Sequence, residues 1–401
     1  MKAQRNSCVE ILRLIAMVLI VFGHQIDVYT YSGVGGVVDF AGVFPTTDPV
    51  FFILSFVGPL GLMGDVIFIA CSAYFLVESD RISVKKIFYL LSTDVIIMCA
   101  ALAVKAVLGD PISTKNILEA IFPTFLQVNW FVGYYIVFYL LHPFFNYVIR
   151  KLDKKGLAIV TAILFIQCNV IAFGMGDTPG SLGLKLMSFI SIYFAVAFYK
   201  KYGGKIWESK RINVIVLISS VVLYIVFRIV INHVGLSSEY LAERQYGYSH
   251  INNPIILIMA LSMINLASRK EKHNKVINYF AVMSLLLYII HKNLQVFFHY
   301  DYIGYFLDTY GADTFIFAVF TKSLIVLGLG IILSIIYRHT VYYGVMWAGG
   351  KLENLINAKI DAFKIKRQQK ANLSTTDDAE EAVNESQDEE LKSIENDRTN
   401  G

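Results

Sequence analysis

Arg13 and His24 are the residues of this chain whose types and spacing most suggest chemistry. Both fall in an apolar run over residues 8–28, eleven positions apart. At 100° per residue they lie within about 20° of one helix face, with about 16 Å of rise between them. A charge in hydrocarbon costs several kcal/mol and is seldom kept without a partner or a task. Glu10, three residues before Arg13, is placed for an ion pair on the same helix. Asp27, three residues after His24, could bond the second ring nitrogen. The plain alternative is that Arg13 reaches the membrane surface and His24 bonds a neighbouring helix. An imidazole at this depth can instead serve as a general base or a nucleophile, because its ordinary pKa lies near neutrality. His291, about 22 Å along its own apolar segment, shares the level of His24. Asp65, Arg228, Lys292 and Lys322 are further ionisable groups at similar depth. Arg228, near a segment end, can extend to the surface, whereas Asp65 and Lys322 lie deeper and require partners or water. Asp94, Lys105 and His142 read as structural.

These residues need a membrane scaffold to hold them. Of 401 residues, 56% are apolar and only 16% charged, well below the roughly 25% charged of a soluble domain. Ten stretches are long enough to cross a hydrocarbon core of about 30 Å: 8–28, 54–77, 87–108, 128–149, 156–174, 182–199, 212–232, 251–267, 275–298 and 315–337. The first segment and alternate loops carry 18 Lys/Arg, and the other loops carry three, Lys115, Lys185 and Arg244. The positive-inside rule then puts both termini in the cytoplasm of an all-α, multi-pass cell-membrane protein. Arg13 interrupts the first apolar run, and no small-residue cleavage site follows it, so an uncleaved helix is expected rather than a signal peptide. The four cysteines form no CxxC pair and no zinc-like spacing, which argues against a disulfide framework or a metal. Residues 371–401 hold ten Asp/Glu against two Lys/Arg. The expected organisation is a ten-helix membrane domain over 1–350, a basic juxtamembrane segment over 351–370 and an acidic disordered cytoplasmic tail over 371–401.

Four motifs occur in order. Glu10-Ile11-Leu12-Arg13-Leu14-Ile15-Ala16 followed by His24 resembles the Arg-x10-His signature of the membrane-bound acyltransferase family 3. Phe68-Ile69-Ala70-Cys71-Ser72-Ala73-Tyr74-Phe75-Leu76 is similar to that family's F-F-x-x-S-G-[FY] segment, with Ala73 where the family has glycine. Asn129-Trp130-Phe131-Val132, leading to Tyr139-Leu140-Leu141-His142-Pro143-Phe144, resembles its fourth-helix stretch. Leu287-Tyr288-Ile289-Ile290-His291-Lys292-Asn293 resembles its late I-Y-L-I-H-x-N segment. The resemblance covers about residues 8–340 and implies a ten-helix core. It also implies transfer of an acyl group, usually acetyl, from cytoplasmic acyl-CoA to a sugar hydroxyl of a surface or lipid-linked glycan. The extracytoplasmic esterase-like domain of many members is not expected here.

Under that resemblance His24 and His291 are the candidate catalytic pair. Arg13, with Arg81, Lys85 and Lys86, would hold the phosphates of acyl-CoA, since guanidinium and ammonium groups suit phosphate oxygens. Arg81, Lys85 and Lys86 only approximate the Arg-x-x-Arg pattern of some members. Glu10, Asp27, Asp65, Ser72, Trp130 and Tyr134 are supporting or acceptor-side candidates, the two aromatics as sugar-stacking surfaces or as an ordinary interfacial belt. The expected partners are acyl-CoA as donor substrate, a glycan acceptor and membrane lipids, with no resident cofactor, no metal and no nucleic acid. The rival reading is a secondary transporter or exporter of a lipid-linked sugar or another anionic molecule. A regulatory scaffold would account for the acidic tail but leaves the Arg13/His24 face without a purpose.

Overall fold

The computed structural model describes residues 6–30, 59–174, 182–204, 208–235, 251–294 and 314–366, with isolated positions near 53–57 and 305–311. The described residues contain helices and no strand. They comprise α1 (Ser7–Thr30), α2 (Leu60–Leu76), α3 (Val84–Val107), α4 (Thr114–Ile121), α5 (Trp130–Lys151) and α6 (Lys154–Phe165). These are followed by α7 (Leu182–Tyr202), α8 (Lys210–Gly235), α9 (Pro254–Ser268), α10 (Lys275–Val282), α11 (Ser284–Leu294), α12 (Phe315–His339) and α13 over 341–366. The chain forms two compact units. One comprises 1–82 and 90–343, and the other 83–89 and 344–401.

Each of the ten expected segments holds a described helix, but not all of these helices are long and apolar enough to cross a membrane. Six stretches are long and apolar enough to cross a membrane: Ser7–Gln25, Val84–Val107, Trp130–Lys151, Lys154–Gly174, Lys210–Ile231 and Phe315–His339. A seventh is the pair α10 and α11, bent by 49°. Leu60–Leu76 and Pro254–Ser268 are shorter apolar helices. Within the expected stretch 275–298, the described residues form this bent pair rather than one straight helix. No proline or glycine marks it, but Ser284 Oγ donates to the Ala281 carbonyl (2.8 Å) and closes the break from its own side chain. Past α6 the helix continues through a π-turn at Ile166–Ile171. That turn carries Asn169, whose side chain donates to Asn252 O (2.9 Å) and accepts from Ser191 Oγ (2.9 Å). The helix α4 was not anticipated; a Ser113/Asn116 capping box opens it.

Two stitched helix starts set the level of the site. Ser7 N donates to Lys272 O (2.7 Å), Ser7 Oγ donates to Asn278 Oδ1 (2.9 Å), and Asn274 N donates back to Ser7 Oγ (2.7 Å). Asn274 also caps α10 by accepting from Val276 N and Ile277 N. The chain therefore climbs α1 and the α10–α11 pair from one shared point. His24 lies 17 residues beyond Ser7, and His291 lies 17 beyond Asn274. Equal counts at 1.5 Å per residue bring both to similar heights.

Close packing then brings them together. In lipid, helices associate through van der Waals contact, and small residues permit near approach. A Cβ at Gly64 of α2 would lie 2.5 Å from Ala16 O and 2.7 Å from Ile20 Cγ1 of α1. On the other flank, a Cβ at Gly330 of α12 would lie 2.6 Å from Leu287 Cδ1 and 4.0 Å from His291 Cβ of α11. Gly64→Ala is accordingly expected to destabilise the protein by about 1–3 kcal/mol, seen as a lower melting temperature in detergent. Gly328→Ala, where a Cβ meets nothing within 4 Å, should not lower it. Equal melting of the two variants would refute the close-approach argument.

At the stitched end of the same unit, Asn146 of α5 donates to Leu76 O, Ser79 O and Asp80 Oδ1 (3.0, 3.0 and 3.1 Å) and accepts from Tyr193 OH (2.6 Å). Arg150 pairs with Asp80 at 2.9 Å. The hydrogen bonds from Arg150 and Asn146 hold the Asp80 carboxyl below its usual range. The end of α2 is thus pinned to α5 and α7.

Candidate active site

The centre of the site is a pair of imidazoles. His24 Nδ1 and His291 Nε2 are 2.9 Å apart, with rings stacked at 5.1 Å and 8° between planes. His291 Nδ1 lies 3.1 Å from Leu287 O. A carbonyl only accepts, so His291 Nδ1 carries the hydrogen and its Nε2 is the acceptor. His24 Nδ1 must then donate to His291. That leaves the lone pair of the neutral His24 ring on Nε2, the form needed to take a proton. His291 is fully buried, while His24 keeps part of its surface. One imidazole fixes the tautomer of the other, an arrangement able to orient a base.

Aromatic rings wall the pair. Tyr288 contacts both imidazoles edge-on, with centroids 6.0 Å from His24 and 5.4 Å from His291. Phe131 lies 5.2 Å from Tyr288, and Trp130 lies 5.7 Å from Phe131. The Lys185 ammonium sits 4.7 Å over the Trp130 ring. Tyr134 packs on Trp130 at 6.0 Å and on Phe189 at 6.4 Å. Lys292 donates to Val128 O and lies within electrostatic range of Asp94, Lys185 and Asp65.

Arg13 is bonded to Glu10 at 2.6 Å, and Glu10 is buried. Its guanidinium lies 5.6 Å from the Phe68 ring and 5.8 Å from Phe75, both on α2. Asp65 and Ser72 are also buried in α2, seven residues apart and so on nearly one face. Arg81 holds a surface loop position, where its carbonyl accepts from Tyr139 OH (3.4 Å). Lys85 and Lys86 belong to the second unit, where a Cβ at Gly349 would meet Lys85 O at 3.3 Å. The Asp27 side chain lies outside the described residues. Arg228, expected to extend to the surface, is instead buried at 2% exposure, on a helix, α8, that packs against α9. Lys322 is likewise buried in α12. His142 bonds the carbonyl of Tyr139 in its own helix (2.5 Å).

A family model described as an acyltransferase domain, that of acyltransferase family 3, matches residues 6–339. The chain belongs to acyltransferase family 3. Comparison with curated proteins and with solved structures finds no match. The matched region of this acyltransferase contains every residue of the imidazole pair and its walls.

One group in this acyltransferase, Tyr288, went unrecognised in the sequence, while Asp94 keeps the structural role expected of it. Asp94, read as structural, is fully buried beside the site, accepting from Thr124 Oγ1 (2.7 Å) and Asn129 Nδ2 (2.5 Å). It orders the strand of chain that leads into Trp130 and lies within range of Lys292. Its only signal was a carboxylate in an apolar helix, the same signal that singled out Asp65. Tyr288 was passed over because a tyrosine three residues before a histidine is ordinary in an apolar helix. Only the tertiary contacts set its ring against both imidazoles.

Proposed function

We propose that this family 3 acyltransferase is an integral protein of the cell membrane that moves an acetyl group from cytoplasmic acyl-CoA to a hydroxyl of a cell-surface or lipid-linked glycan. The observation that carries the reading is the His24–His291–Leu287 relay between α1 and α11, with Arg13 on the same face of α1 as His24. Coenzyme A has its phosphates at one end and its thioester at the end of a long arm. Arg13 binds the charged end, and the arm climbs α1 toward His24. Tyr74, Tyr199, Lys200 and Lys201 line a polar cavity of about 410 Å³, although Arg13 is not part of its lining. Tyr74 stacks edge-on with Phe75 at 5.4 Å, and Phe75 is the ring beneath Arg13.

The chemistry follows from the tautomer. The acceptor hydroxyl gives its proton to His24 Nε2 as its oxygen bonds the thioester carbon. The tetrahedral intermediate then collapses with cleavage of the C–S bond, and the thiolate takes the proton back from His24. His291 accepts the hydrogen bond from His24 Nδ1 throughout and stabilises the imidazolium that forms. Trp130 and Tyr134 border the acceptor.

Ten crossings with both termini cytoplasmic put Arg13 on the acyl-CoA side. Single cysteines at Gly203→Cys and Lys115→Cys should be reached by an impermeant thiol reagent from the cytoplasm and from outside, respectively. Labelling of both from one side overturns this topology. The function is tested by comparing surface-glycan O-acetylation with and without the protein, by mass spectrometry and NMR. Loss of acetyl groups from one glycan position is expected, and an unchanged acetylation pattern refutes the reading.

A further inference from the structure

The buried polar groups around the imidazoles include one that the relay does not use. Tyr288 is 1% exposed, and its hydroxyl meets no hydrogen-bond partner among the described residues. A buried hydroxyl left without a partner costs free energy, and such groups in native structures mark strain, an unseen water or ligand, or a role in chemistry. Its surroundings narrow the choice. The ring is wedged edge-on against His24 and His291 and tilted against Phe131. Those contacts are apolar packing and ask nothing of the hydroxyl. Phenylalanine would make all of them.

We propose that the Tyr288 hydroxyl is a hydrogen-bond donor to the carbonyl oxygen of the acyl group as it becomes an oxyanion. The inference rests on the acyl-transfer reading above. When the acceptor oxygen adds to the thioester carbon, the carbonyl π electrons move to oxygen. That oxygen needs a donor that is already in place and shielded from water. Tyr288 of α11 packs edge-on against His24 of α1, so its ring borders the imidazole from a second helix. The base removes the proton on one side of the carbon, and the phenol meets the charge that develops on the other. No proton is transferred from Tyr288; its hydrogen bond shortens as the charge grows and relaxes when the C–S bond breaks. Asp65 and Asp94 also lie within electrostatic range of this hydroxyl.

The variant Tyr288→Phe separates this role from a packing role. Purified wild type and variant are compared for melting temperature in detergent and for steady-state acetyl transfer from acetyl-CoA. The variant should melt at or above the wild-type temperature, because the hydroxyl it removes satisfies nothing. Its kcat should fall about 10- to 100-fold, with KM for acetyl-CoA changed less than twofold. Unchanged kcat overturns the proposal, and so does a clear drop in melting temperature, which would mean the hydroxyl has a structural partner. A rise in KM at constant kcat overturns it as well, since that is ground-state binding. If wild type itself transfers no acetyl group, the acyl-transfer reading fails instead, and the two failures are distinct.

Discussion

His24→Ala abolishes acyl transfer, lowering turnover by about 10²–10⁴-fold, the range for loss of a positioned base. The expectation comes from the hydrogen-bond chain. Leu287 O fixes the hydrogen of His291 on Nδ1, and His291 then fixes the hydrogen of His24 on Nδ1. The lone pair of His24 Nε2 is the product of that chain, and alanine removes it. Donor binding should change little, because Arg13 lies about 16 Å lower on the helix and the base acts on the transition state rather than on bound acyl-CoA. Calorimetry with a non-transferable acyl-CoA analogue and a turnover assay on the same preparation measure both quantities. Turnover near wild type would remove His24 from the chemistry and direct attention to Ser72 or Asp65.

His291→Ala is expected to cost about 10²-fold and to leave measurable activity. The residue orients the base rather than acting on substrate. Without it His24 Nδ1 loses its acceptor, the ring can rotate, and the two tautomers become comparable. Glutamine can offer an oxygen near the former Nε2, so His291→Gln should recover part of what alanine loses. A purely structural histidine would give the same activity in both variants once folding is matched. If the His291 variants were dead while His24→Ala turned over, the roles would be reversed.

Much of this arrangement was readable in the residues, and the reasons are physical. Arg13 and His24 share a face because helix geometry fixes the angle between residues eleven apart, with no help from tertiary structure. That His24 and His291 share a level followed from counting along apolar segments. Their 2.9 Å contact did not follow, since it is a tertiary contact, in a place where Gly64 brings α2 close to α1 and Gly330 brings α12 close to α11. The 49° break between α10 and α11 was not foreseen either. The break lies in the run Ala281-Val282-Met283-Ser284, which carries no residue that compels a kink. Arg228 was misjudged from its place near a segment end, because periodicity along α8 does not reveal which neighbour covers that face. Tyr288 was hidden for a related reason: it is commonplace in its own helix and distinctive only beside the imidazoles.

The central claim is that His24, held by His291, is the base of an acyl transfer fed by acyl-CoA. The most direct measurement is acetyl transfer from labelled acetyl-CoA by purified protein in liposomes, wild type against His24→Ala, with donor affinity measured on both. The account predicts transfer by wild type, loss of about 10²-fold or more in the variant and nearly equal donor affinity. Equal turnover in the two proteins, or donor binding that disappears together with transfer, would contradict it.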